Sequence, residues 1–200
     1  ILDLQRSRVP VVTTIHHPIT RDRRVALSGE PRWWWRFLIR RWHRFLSMQA
    51  RVASQLDHIV TVSQLSATDI ATDFGVMPNT ISVVPNGVDT ALFRPLPGVS
   101  RRPRQVIATA SADAPLKGLA VLLRAFKNLV DADPSTELVL IARPKPGGDT
   151  EALIEQLGLR DRIRFVGDAS HEQINRLYAE SAVAVVPSLY EGFGLPAVEA

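Results

Sequence analysis

Along the chain, short β-branched runs alternate with longer stretches of helical spacing. "VPVVTTIHH" (9–17) predicts a buried strand that follows a proline and ends at two histidines. "PRWWWRFLIRRWHRFLSMQARVASQL" (31–56) predicts one long helix: Trp35, Leu38, Trp42, Phe45 and Val52 share a face, and Arg36, Arg40, Arg44 and Arg51 mark the other. "DHIVTVS" (57–63) predicts a strand. Ser63 then caps a helix over 63–75, closed by Gly75, and "TISVVP" (80–85) is another strand. Residues 86–104 hold prolines, glycines and an arginine cluster, the composition of a linker. Beyond it the pattern predicts strands at 105–110, 137–142, 162–166 and 182–187, with helices at 118–131, 149–158 and 170–180.

Regular strand–helix alternation predicts an α/β protein with parallel sheets covered on both faces. The expected division is residues 1–90 as one Rossmann-like domain, 91–104 as linker and 105–200 as a second. Both domains are expected to be incomplete in this chain, with the first represented by its C-terminal part and the second by its N-terminal part. Ligands of such sheets bind beyond the carboxyl ends of the strands. That rule directs attention to His16, Ser63, Pro85–Gly87, Ser111–Lys117, Arg143–Gly148 and Pro187–Glu199.

Charge sharpens the division. Residues 1–104 carry 15 Lys/Arg against 7 Asp/Glu, whereas residues 105–200 carry 9 against 13. The two halves are therefore expected to meet different partners. There is no cysteine, which excludes a disulfide framework and cysteine-based zinc sites. Nor is there a run of about 18 apolar residues of the kind that crosses a membrane. All four tryptophans lie at 33, 34, 35 and 42, among arginines. The reading taken is a helix packed on its sheet through Trp35, Leu38 and Trp42, with a solvated basic face. The alternative is a helix lying on a membrane surface. A nucleic-acid groove finds no accompanying motif.

The terminal stretch "YEGFGLPAVEA" (190–200) concentrates unusual residues. Gly192 and Gly194 let a ligand approach the backbone closely, and Pro196 suits the first turn of a helix, whose amides attract anions. Glu191 and Glu199 flank the turn. As a glycosidase pair they would stand roughly 5–9.5 Å apart, whereas eight residues of continuous helix would part them by about 12 Å. The segment also matches G-x-G-x-x-A, a dinucleotide-binding pattern, but it follows a late strand rather than the first.

"EGFGLPAVEA" resembles the E-x7-E signature of retaining glycosyltransferases of the large family four, whose GT-B fold has two Rossmann-like domains facing each other. "ISVVPNGVDTALFRP" (81–95), "LKGLAVLLRAFKNL" (116–129) and "LGLRDRIRFVGDASHEQINRLYAESAVAVVPSLYEGFG" (157–194) are similar to further family segments in the same order. The resemblance implies a transferase moving a sugar from a nucleotide-diphosphate-sugar to an acceptor hydroxyl with retained anomeric configuration. It implies that Glu191 contacts the donor sugar near the reacting centre. The backbone of Gly192, Phe193, Gly194 and Leu195 would lie along sugar and diphosphate, Glu199 would accept hydrogen bonds from the ribose, and Lys117 would bind the diphosphate. His16 matches the histidine that faces the donor sugar from the first domain. Where the family usually has an arginine, this chain has Ser111, which supplies a hydroxyl but no charge. Arg143 is a candidate substitute. No metal and no cofactor beyond the donor are expected.

The expected partners are thus the donor and an acceptor that is a saccharide, a lipid-linked molecule or a small molecule. The expected location is the cytoplasm, with peripheral contact at the inner face of the membrane left open. Two other classes stay open at this point: a nucleotide-sugar-binding protein without catalysis, and a dinucleotide-dependent oxidoreductase.

Overall fold

The computed structural model describes Leu2, Asp3, Ser7, residues 9–110 and residues 114–200. The chain forms two compact units, one of Ile1–Gly87 with Glu191–Phe193 and one of Val88–Tyr190 with Gly194–Ala200.

The first unit holds a parallel sheet of β1 (Thr13–Thr14), β2 (Ile59–Thr61) and β3 (Ile81–Val83), in that order, with Thr13 opposite Ile59 and Val60 opposite Ser82. Its helices are α1 (Thr20–Ser28), α2 (Trp33–Trp42), α3 (Phe45–Ala53) and α4 (Gln64–Phe74). The expected strand over 9–17 shrinks to the two residues of β1. Ser63 accepts a hydrogen bond from the Ser66 amide (3.1 Å) and so caps α4, while Gly75 ends that helix at φ +67°. Ala53, Leu56, Ile59, Ile70, Phe74 and Val76 form the core.

The sequence pattern gave no sign of α1, because its arginines leave little apolar stripe. Ion pairs hold it instead. Arg21 pairs with Asp69, Arg24 reaches Asp73 at 2.6 Å, and the Thr20 hydroxyl donates to Asp73. Burial pushes the Asp73 carboxyl up, but the hydrogen bonds from Thr20 and Arg24 and the nearby guanidinium charges together hold it below its usual range.

The long helix expected over 31–56 is two helices. The chain breaks at His43 and Arg44, where the His43 ring nitrogen lies 2.7 Å from the Ile39 carbonyl. The packed reading of the tryptophans is overturned as well. No residue of α2 is buried, and Trp33 and Trp42 are each 79% exposed. Helical period alone does not say which face meets the core. Here α3 fills the core through Leu46 and Ala53, and α2 touches the unit through the narrow edge of Arg36, Ile39 and His43. Arg36 donates to the carbonyls of Leu27 (2.5 Å) and Glu30 (3.2 Å).

The second unit contains β4 (Arg102–Thr109), α5 (Leu119–Ala132), β5 (Glu137–Ile141), α6 (Asp149–Leu157), β6 (Ile163–Val166), α7 (His171–Glu180), β7 (Ser181–Val185) and a short α8 (Leu195–Glu199). Its four strands are parallel in the order β6–β5–β4–β7. The side-chain alternation of a strand sends Leu138 and Leu140 to one face and Val139 to the other. The first pair packs with Leu119, Leu123, Phe126 and Ile154, and the second face packs with Ile107, Leu177 and Tyr178. Strands β4 and β5 are covered on both faces, which explains the apolar runs at 106–108 and 138–141. A capping box starts α7: Ser170 Oγ accepts from the Gln173 amide, and Gln173 accepts from the Ser170 amide.

Candidate active site

In the second unit, the turn that bears Lys117 runs from Ala114 to Gly118. The Lys117 amide donates to the Ala114 carbonyl (2.9 Å) and the Gly118 amide to that of Pro115 (3.1 Å). Lys117 is half-buried at the lip of α5, and Gly118 enters the helix at φ +64°. A Cβ at Gly118 would lie 1.9 Å from the Pro187 carbonyl oxygen and 2.8 Å from its carbon. Only glycine admits so close a backbone. The Leu189 amide also donates to the Leu116 carbonyl (2.8 Å). The chain leaving β7 is therefore seated, backbone on backbone, against the turn that carries Lys117.

Further on, Gly194 adopts φ +84° and leads into α8, where Leu195 and Pro196 occupy the first two positions. The helix spans five residues. Glu199, half-buried near its end, lines a cleft of about 360 Å³ with Phe93, Arg94, Arg101, Asn175 and Tyr178. Lys117 is not in the walls of that cleft. The Tyr178 hydroxyl is pushed up by burial, pulled back by its hydrogen bond with Thr109 (3.1 Å) and pushed up again by the charge of Glu199.

Glu191–Phe193 group with the first unit. Gly192 is buried, and a Cβ there would stand 3.0 Å from the His16 carbonyl oxygen and 3.3 Å from His17 Cβ. Its own carbonyl accepts two hydroxyl hydrogen bonds, from Ser63 (2.5 Å) and Ser66 (3.2 Å). The peptide after Glu191 is thus pinned beside His16, with Glu191 and Phe193 half-buried on either side. The sequence marked Ser63 as a cap at a strand end. It did not mark Ser66, whose only sequence signal is its place three residues on, where a capped helix directs its first free groups.

His16 is exposed and His17 half-buried. Nothing in the sequence paired either ring with a carboxylate. The fold does so for His17, bringing its Nε2 to 3.6 Å from Asp22 on α1. Ser111 lies outside the described residues. Arg143, the candidate substitute for an arginine there, forms an ion pair with Asp168, a non-glycine residue at φ +49°. Its charge is already matched. Among the described residues, no three His, Asp or Glu side chains gather closely enough to hold a metal ion, and no helix is long and apolar enough to cross a membrane.

Two parallel-sheet units of Rossmann-like build, with glycine-rich backbone at a strand's carboxyl end, define the α/β class found in GT-B glycosyltransferases. The chain belongs to the glycosyl transferases group 1 family, whose model matches residues 98–200, and the model of Glycosyltransferase Family 4 matches residues 1–92. It is 49% identical to the MMP alpha-(1->4)-mannosyltransferase of Mycolicibacterium hassiacum over 100% of this chain and 48% of that protein. It is 30% identical to the D-inositol 3-phosphate glycosyltransferase of Acidothermus cellulolyticus over 98% of this chain and 45% of that one. Among solved structures, HepE of Anabaena in complex with UDP and glucose superposes with a TM-score of 0.69 at 22% identity, covering 98% of this chain and 51% of that one. The chain spans about half the length of the curated relatives it matches.

Proposed function

We propose that the full-length protein is a retaining glycosyltransferase that works in the cytoplasm on a nucleotide-diphosphate-sugar. The bond from the anomeric carbon to the diphosphate breaks, the acceptor oxygen joins the same face, and the acceptor's proton passes to the departing diphosphate. In this reading Glu191 and the first unit's His16 act at the sugar. The backbone of Gly192, Phe193, Gly194 and Leu195 lies along sugar and diphosphate, and Glu199 accepts from the ribose hydroxyls. Lys117 offsets the charge of the leaving diphosphate, the stabilisation that matters most when charge develops in a dry site. Ser111 contributes a hydroxyl only. No metal and no further cofactor is assigned, and the acceptor is a saccharide, a lipid-linked molecule or a small molecule.

The observation that carries this reading is the seat of the post-β7 backbone on the Lys117 turn, which only Gly118 permits. It keeps a cation and an amide-rich loop together, as a diphosphate requires. The names of the relatives support glycosyl transfer, and that of the 49% identical protein favours mannose. The UDP bound to HepE supports a nucleotide donor. The G-x-G-x-x-A turn follows β7 and not β4, the first strand of the second unit, and this placement gives no support to a dinucleotide oxidoreductase.

The test is to incubate the full-length protein with nucleoside-diphosphate mannose and glucose and a panel of acceptors. Released nucleoside diphosphate is measured, and the anomeric configuration of the product is read by NMR. A product with inverted configuration rejects retention. Tight donor binding with no release of diphosphate rejects catalysis and leaves a binding protein.

A further inference from the structure

The outer face of α2 is not absorbed by glycosyl transfer. Trp34, Leu38 and Trp42 follow one another at four-residue spacing, and Phe37 lies beside them, so they form a single stripe along the helix. The inward edge is Arg36, Ile39 and His43, and the stripe points the other way. This helix is amphipathic with its apolar side turned to solvent. Phe37 is 60% exposed and Leu38 41%.

The charge around the stripe has one sign. Residues 31–56 contain six arginines and no Asp or Glu. Arg32 is engaged with Glu30 and lies over the rings of Trp34 and Trp35 at 5.6 and 5.5 Å. Arg36 is engaged with the backbone of α1 and the turn after it. Arg40, Arg41 and Arg44 are exposed and carry no ion pair among the described residues. Three guanidiniums therefore border an apolar aromatic stripe, with no acid to neutralise them.

A surface that matches this face must be anionic and must also accept indole and leucine side chains. A second copy of the chain would bring the same positive field against itself. A nucleic acid would match the charge but would leave Leu38, Phe37 and the outer tryptophans in water. The headgroup layer of an anionic bilayer satisfies both demands, since indoles settle at its apolar boundary and arginines reach its phosphates. Ten residues of helix extend about 15 Å, so α2 lies along such a layer and does not cross it. We propose that α2 docks the protein onto an anionic phospholipid surface through Trp34, Phe37, Leu38 and Trp42, with Arg40, Arg41 and Arg44 contacting the headgroup phosphates.

The experiment is cosedimentation of the full-length protein with vesicles of phosphatidylglycerol and phosphatidylcholine, and of phosphatidylcholine alone, at low and high salt. Binding is expected only to the anionic vesicles, falling as salt screens the charges. The triple variant Arg40→Gln, Arg41→Gln, Arg44→Gln is expected to bind on the order of a hundredfold more weakly, at about fivefold per arginine. The double variant Trp34→Ser, Trp42→Ser is expected to lose the part of the binding that resists salt. Far-ultraviolet circular dichroism of both variants should match the parent, because every substituted side chain is exposed. No sedimentation with anionic vesicles at low salt would overturn the proposal. So would equal binding to both lipid mixtures, or unchanged binding by both variants. Loss of self-association, of nucleic-acid binding or of saccharide binding in the tryptophan variant, without vesicle binding in the parent, would assign the face to that other partner instead.

Discussion

Gly118→Ala and Gly158→Ala add the same methyl group to two backbones of the same φ, +64°. At Gly158 the new carbon meets nothing within 4 Å, so the variant bears only the cost of a left-handed residue, about 1–2 kcal/mol. At Gly118 that cost is joined by a carbon 1.9 Å from a backbone carbonyl oxygen. No side chain can swing aside there, so the segment after β7 must retreat. Overpacking of this kind costs about 1–3 kcal/mol, and the Leu189–Leu116 hydrogen bond is worth about 1 kcal/mol more. Gly118→Ala should therefore be less stable than Gly158→Ala by about 2–4 kcal/mol. With a urea slope of about 2 kcal/mol/M, the two midpoints should differ by roughly 1–2 M. The assay is urea unfolding of the full-length variants followed by circular dichroism, read at the transition of the second unit. Donor KM should rise in Gly118→Ala and stay at the parent value in Gly158→Ala. Equal midpoints and equal KM would refute the claim that the Pro187 backbone is seated on the Lys117 turn.

Three further outcomes follow from the same geometry. Glu191→Ala should lower turnover by about a hundredfold or more, the scale of a lost transition-state contact, while Glu199→Ala should chiefly raise donor KM. Small and equal effects in steady-state kinetics would count against both roles. Lys117→Ala should weaken nucleoside-diphosphate binding by about 1.5–3 kcal/mol in calorimetry and leave nucleoside binding nearly unchanged. Asp73 is held below its usual range, so its contribution to stability is complete above its unfolded value of about 3.9 and is lost as pH falls through the lower folded value. The stability gap between the parent and Asp73→Asn should therefore close in acid, and a gap independent of pH in urea titrations would contradict the ion-pair account.

Legibility in the sequence followed the physics of each segment. The second unit was readable nearly strand by strand because β4 and β5 are covered on both faces, so burial and sequence agree at Ile107, Leu138, Val139 and Leu140. Helix α4 was readable for a local reason, its cap at Ser63 and its left-handed stop at Gly75. Helix α1 was not, because ion pairs between residues about fifty positions apart leave no local trace. The arginine–tryptophan segment misled because an amphipathic period names two faces without saying which one points inward. At the site, the glycines and glutamates of 190–200 stood out by composition. What holds them did not: the hydroxyl of Ser66 on the Gly192 carbonyl and the Pro187 carbonyl against Gly118 are long-range contacts that only the folded chain brings together.

The crowding of all four tryptophans onto one unburied helix has a practical consequence for spectroscopy. Within this sequence, residues 88–200 contain no tryptophan, and Trp33 and Trp42 already stand in water when the protein is folded. The emission of these two should hardly change as either core melts, so a fluorescence unfolding curve of this chain would rest on the partly covered Trp34 and Trp35 of the first unit and carry no direct signal from the second. The same emission should respond sharply to any apolar medium that meets α2. In this chain indole fluorescence is a gauge of contact, and the melting of the second unit has to be followed through its backbone or through Tyr178 and Tyr190.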